Sequence, residues 1–139
     1  MHVSDIPGLR QWQRAIAPAT VLSRAEAQLV EAGFTLFDRI DHAQAAKSAG
    51  LFLPFCVVLI FGRPSGGTEL MRVAPTLAID LPSKMLIYER ESNISLVAVT
   101  ELAYTAQRHG LRSDRYLAEV RAFDHKVSTI VTNILMDTN

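Results

Sequence analysis

Apolar runs along the chain are broken by polar, glycine and proline positions, and the period of each run assigns its element. Residues 18–32 carry Leu22, Ala25, Leu29 and Ala32 at helical spacing, and Gly33 supplies a stop. Ser23 and Glu26 stand at capping-box spacing, so Ser23 is an alternative start for that helix. Residues 34–40 read as a strand, Asp41 as the cap of a short alanine-rich helix over 42–49, and Gly50 as its end. Residues 55–61 are apolar at every position, which asks for cover on both faces of a strand or for a second subunit on one of them. Gly62-Arg63-Pro64-Ser65-Gly66-Gly67 follows as a glycine-rich turn, with Thr68 capping a helix over 69–74 that Pro75 cannot continue. A short turn through Leu77 and Ile79 closes at Asp80-Leu81-Pro82.

Residues 84–90 and 94–100 pair as an antiparallel hairpin through Glu91-Ser92-Asn93. Thr100 caps a helix over 101–109 that Gly110 stops, and Ser113 caps a long last helix over about 114–136. The apolar stripe of that helix is Leu117, Val120, Val127, Ile130, Val131 and Ile134. Residues 9–14 add a first strand with Trp12 facing inward. The fold class expected is α+β: one two-layer domain over 1–139, with about five strands in a mixed or antiparallel sheet. Helices pack on the sheet, the core spans about 9–111, and the long C-terminal helix follows.

Composition narrows the function classes. The chain has 139 residues, 49% apolar and 20% charged, which suits one globular domain that needs no disulfide or metal to build a core. Fourteen basic residues balance fourteen acidic ones, so no nucleic-acid partner is expected. Arg108, Arg112, Arg115 and Arg121 interleave with Asp114, Glu119 and Asp124, as on a solvated face. Cys56 is the only cysteine and reads as a buried, inert thiol. Residues 1–8 show no signal peptide and no apolar run reaches membrane-spanning length, so a cytoplasmic protein without a membrane partner is expected.

Two places could carry chemistry. The first is the glycine turn, where Gly62, Gly66, Gly67 and Thr68 bring amides and a helix N-terminus together and Arg63 adds positive charge; a small anionic ligand would suit it. Gly62 and Gly67 have phosphate-loop spacing, but Thr68 and Glu69 stand where that loop needs Lys and Ser or Thr, which excludes nucleotide hydrolysis. The same glycines also suit a plain tight turn. The second is Asp41-His42. The helix dipole disfavours imidazolium at a first turn, and a neutral ring accepts a proton or binds a metal; an Asp cap beside a partly buried, hydrogen-bonded histidine is the bland alternative. His109 reads as a helix C-terminal cap and His125 as a surface residue. Asp80, with Lys84 and Tyr88, could orient a ligand. No two histidines sit at i, i+4, so no metal site is expected, and nothing points to a cofactor.

The spacing of Phe37-Asp38-Arg39-Ile40-Asp41-His42, Ile60-Phe61-Gly62, Gly66-Gly67-Thr68, Ala78-Ile79-Asp80-Leu81-Pro82 and Arg108-His109-Gly110-Leu111 resembles the domain of unknown function 302 family over about residues 20–111. The resemblance implies a compact α+β domain that associates as a homodimer, and no reaction, substrate or cofactor. Arg63 departs from the Asn frequent in that family, and the region from Tyr116 onward matches poorly.

Three functions follow. The leading one is a homodimeric small-ligand or anion-binding domain, its site at the glycine turn and His42. An enzyme using His42 as general base, with turn amides steadying an oxyanion, is the second. A protein-interaction module working through the C-terminal helix is the third. The first two require the turn, Arg63 and His42 to share one hollow.

Overall fold

A computed structural model describes residues 4–136; the first three residues of the segment read for a signal peptide lie outside them. Five strands form one sheet in the order β1-β5-β4-β3-β2, and every neighbouring pair is antiparallel. The strands are β1 (Leu9–Arg14), β2 (Thr35–Asp41), β3 (Cys56–Gly62), β4 (Ser83–Glu89) and β5 (Ser95–Thr100). The helices are α1 (Pro18–Glu31), α2 (His42–Ser48), α3 (Pro64–Val73), α4 (Leu102–Arg108) and α5 (Asp114–Ile134), with a 3-10 turn at Pro75–Asp80. The α+β class, the five strands and the long last helix are as the hydrophobic pattern requires.

Helices α1 and α5 cover one face of the sheet. Their buried side chains, Leu29 and Ile130 among them, meet Leu59, Phe61, Ile87 and Val97 in one core. The stripe expected on α5 is buried from Val120 to Ile134, with Val127, Ile130, Val131 and Ile134 in this core. A smaller cluster joins Leu70, Leu77, Ala106 and Val120 beside it. Gly33 and Gly110 adopt left-handed φ of 92° and 83° just after α1 and α4, the stops that their positions imply.

Burial along β3 alternates: Val57, Leu59 and Phe61 are buried, whereas Cys56, Val58 and Ile60 are half-covered. Strand register lines up Ile40, Val58, Leu86 and Ala98 across that second face. The apolar run is therefore fully covered on one side only. Cys56 is accordingly half-exposed rather than buried, and desolvation, with Asp41 adding to it, pushes its thiol pKa up.

Several boundaries differ from the sequence reading. Helix α1 does begin at Pro18, as residues 18–32 read, and the alternative start at Ser23 is not used, because proline fits a first helical position at no cost in hydrogen bonds. Helix α3 begins at Pro64 for the same reason, four residues before the expected cap. Thr68 is thus inside the helix, where its hydroxyl donates back to Pro64 O at 2.6 Å. Helix α4 is not capped by Thr100. Its Leu102 and Ala103 amides donate instead to the Asp124 carboxylate of α5, at 2.7 and 2.9 Å. Asp124 is half-buried rather than part of a solvated face, and burial raises its pKa against the pull of those two amides.

Candidate functional site

A cavity of about 470 Å³ opens between α3, α5 and the β3 end of the sheet. Its walls are apolar: Phe34, Leu70, Met71, Leu81, Val120 and Phe123. Phe34 and Phe123 line its floor and Phe61 packs behind them in the core, with Phe34 edge-on to both others at 5.4 Å (Phe61) and 5.6 Å (Phe123) between centroids. Ser83 also lines the cavity, and charged groups reach it at two places. Arg63 and Lys126 stand at the Phe34 end, and Glu119 lies seven residues before Lys126 on α5.

Four of the residues singled out in the sequence line this cavity: Gly62, Arg63, Gly66 and Gly67. The glycines do not form a loop. Gly66 and Gly67 sit in the first turn of α3, and neither they nor Gly62 has the positive φ that would demand glycine. A Cβ on Gly66 would meet nothing within 4 Å, and one on Gly67 would touch Leu81 and Met71 at 3.7 and 3.8 Å. What these glycines leave is room, on the cavity side of a helix that alanine would favour by about 0.5–1 kcal/mol per position.

Arg63 is the N-cap residue of α3 but makes no side-chain cap. Its guanidinium donates to Ala32 O at 2.9 Å, and Lys126 Nζ donates to the same oxygen at 3.1 Å. Both cations also lie over the Phe34 ring, at 4.7 and 5.5 Å from its centroid. Ala32 ends α1, where the helix dipole is negative. Among the described residues no carboxylate pairs with either cation.

Thr68, His42 and Asp80 are not among the lining residues. His42 is exposed at the opposite end of the β2–β3 ladder: Thr35 pairs with Gly62, and Asp41 with Val57. Those ends are roughly 20 Å apart at about 3.3 Å per strand residue. The shared hollow expected for His42 and the glycine turn is therefore absent, because β2 runs the length of the sheet between them. Asp41 is spent on its own helix, accepting from Gln44 N at 2.8 Å.

Asp80 works elsewhere. Its Oδ2 accepts from Arg108 Nη1 and His109 Nε2, each at 2.6 Å, and His109 Nδ1 shares a hydrogen bond with Thr76 Oγ1 at 2.9 Å. The His109 hydrogen bond, helped by the Arg108 charge, holds the Asp80 carboxyl below the usual carboxylate range. His109 is thus not a plain helix cap: it fastens the 3-10 turn to the end of α4. Lys84 donates to Pro82 O and Tyr88 to Gln11, so neither joins Asp80.

The sequence reading missed Phe34, Phe123, Lys126 and Glu119 as cavity residues. Val120, Phe123 and Lys126 follow one another at three-residue steps on α5, a spacing that continues the buried stripe. Among the described residues no cluster of three or more His, Cys, Asp or Glu is placed to hold a metal, and no helix is long and apolar enough to cross a membrane.

The profile of the domain of unknown function DUF302 matches residues 12–130. This chain belongs to the DUF302 family. The match extends past Leu111, where the resemblance read from motifs ended, and takes in residues 116–130, which that reading had placed in a poorly matching region. A crystal structure of an uncharacterized conserved DUF302 protein from Bacillus stearothermophilus superposes with a TM-score of 0.70 at 17% identity, covering 93% of this chain and 96% of that one. That likeness establishes the fold. The Brucella suis protein named fluoride-specific ion channel FluC 1 is 41% identical over 98 residues, which are 69% of this chain and 39% of that protein. The FluC 1 protein of Brucella abortus is equally similar over 36% of its length. The chain thus spans about two fifths of the length of these curated relatives.

Proposed function

We propose that this DUF302 chain is a small-ligand-binding domain whose site is the cavity bounded by Gly62, Arg63, Gly66 and Gly67. One observation carries the reading. Two glycines occupy a helical turn with ordinary backbone angles, and the space they leave belongs to the cavity. A volume of about 470 Å³ lies within the range of pockets that hold small molecules, about 300–1,000 Å³. The general-base reading of His42 lacks its geometry, and α5, the helix read as a partner-binding surface, spends its apolar stripe from Val120 to Ile134 on the domain's own interior.

The test is a small-molecule screen followed by amide chemical shifts. Ligands of this site should move Gly62, Gly66, Gly67 and Phe123 in the wild type. Gly67→Leu, whose side chain grows toward Leu81 and Met71, should abolish binding, while His42→Ala leaves it unchanged. Ligands indifferent to Gly67→Leu would end the proposal.

The half-covered sheet face supports association as a homodimer. Ile40 is 40% exposed on that face, and Leu51, Phe52 and Leu53 stand exposed in the segment leading into β3. An apolar row of this kind on a sheet is surface that a second copy can bury. The double variant Ile40→Ser, Phe52→Ser changes only exposed side chains and should convert a dimer into a monomer in sedimentation equilibrium. A wild type that sediments as a monomer would refute the dimer.

The Brucella relatives favour a second reading. A channel crosses a membrane, and no described helix of this chain can. On that ground we read the shared 98 residues as an accessory part of those proteins, and fluoride itself joins the screen, followed by fluorine NMR.

A further inference from the structure

We infer that the ligand of this cavity is an amphiphilic monocarboxylate: an apolar body along the cavity and one negative head group between Arg63 and Lys126. The inference rests on the cavity being a ligand site, as proposed above, and adds the chemistry of what enters it.

The head-group end is defined by a mismatch of charge. Two cations converge on one neutral oxygen, Ala32 O. Each spends one donor there, from the five of a guanidinium and the three of an ammonium. Like charges held this close repel, by about 1 kcal/mol in water at about 4 Å and by more where water is excluded. A carboxylate between them cancels that repulsion and takes up their remaining donors in charge-assisted hydrogen bonds. Phe34 lies under both cations and closes the site from below, so the anion would sit on the open side.

The body of the ligand is defined by the walls. From the cations, the cavity is lined by Phe123, Val120, Leu70, Met71 and Leu81. None of these offers a side-chain hydrogen bond of any strength, so a polar body would lose its hydration without return. A bare inorganic anion would leave that surface uncovered.

The far end sets the number of charges. Glu119 also lines the cavity, and the seven residues separating it from Lys126 on α5 place it about 10 Å away along the helix axis at 1.5 Å per residue. An eight-carbon chain is of that length. A second carboxylate at its tip would meet Glu119, so a dicarboxylate is disfavoured where a monocarboxylate is not.

The test compares octanoate, octanamide and suberate by titration calorimetry and amide shifts at neutral pH, on the full chain. Octanoate should bind, moving Gly66, Gly67 and Phe123, and octanamide should bind at least tenfold more weakly. Suberate should also be weaker than octanoate, and Glu119→Gln should bring it closer. Arg63→Gln and Lys126→Gln should each lower octanoate affinity toward that of octanamide. Because both variants also loosen the end of α1, octanamide is the control, and its affinity should not move. Equal binding of octanoate and octanamide, or tighter binding of suberate, would overturn the carboxylate class while leaving the cavity as a site. No binding by any of the three, with hits from the wider screen also indifferent to Gly67→Leu, would remove the cavity reading and this inference together.

Discussion

The two ends of the β2–β3 ladder are both strand-to-helix junctions, and they are built in opposite ways. At one end Asp41 leads into α2, caps it with its own carboxylate, and is followed by Ala43, Ala45 and Ala46. That helix buries no residue, and none of its residues lines the cavity. At the other end Arg63 leads into α3, gives it no side-chain cap, and is followed by Gly66 and Gly67. The first junction satisfies itself. The second sends its cation to a neighbouring helix and leaves a hollow where side chains would stand. A motif with a well-formed cap reads as chemistry in a sequence, yet the junction that forgoes local optimisation is the one with space for a ligand.

The largest contrast between the two ends is in stability. Phe34 is 4% exposed and holds two rings and two cations around the cavity floor. Phe34→Ala should cost about 3–5 kcal/mol in chemical denaturation, as deletion of a buried aromatic ring does. His42→Ala at the exposed end should stay within about 0.5 kcal/mol of wild type. Similar costs at both ends would mean that the far junction is tied into the core in some way its exposure does not show.

The next contrast is between a local cap and a remote one. Asp124→Ala strands two amides of α4 that its carboxylate accepts from across the helix pair. Leaving buried donors unmade costs about 1–3 kcal/mol. Asp41→Ala removes one bond from an exposed helix, and water can replace it, so its cost should lie near the low end of the 0.5–2 kcal/mol seen for caps. Equal losses in urea unfolding would put Asp124 on the surface, where the run of alternating charges had placed it.

How far the sequence revealed this molecule divides along the same line. Elements set by local chemistry were legible: the α5 stripe, the stop at Gly33, the Asp41 cap and the hairpin from β4 to β5. The class and the strand count follow from them. What the sequence concealed was set across the chain. Asp124 looks like any charge on a helix face until α4 is docked against it. His109 looks like a C-terminal cap until the 3-10 turn brings Asp80 and Thr76 to its ring. Lys126 and Arg63 are 63 positions apart in the sequence and meet only because both reach Ala32 O. The α3 edge of the cavity was found, because glycines near a strand end draw attention; its apolar wall on α5 was not, because Phe123 reads as one more core residue.

The smallest predicted effect bears most directly on why glycine stands at the second junction. If Gly66 were needed for its backbone, alanine would destabilise the chain. Its φ lies outside the left-handed region, and an added methyl group meets nothing within 4 Å. Gly66→Ala should therefore raise stability by about 0.5–1 kcal/mol, since alanine loses less entropy in a helix and its unfolded chain has fewer states. Thermal unfolding of the variant beside wild type would register this as a rise in Tm of a few degrees. A gain shows that the native chain forgoes stability it could have had at no steric cost, as a chain does when the position serves something other than folding. A loss would mean that the first turn of α3 needs glycine after all. The two junctions would then differ in backbone demand and not in the room they leave.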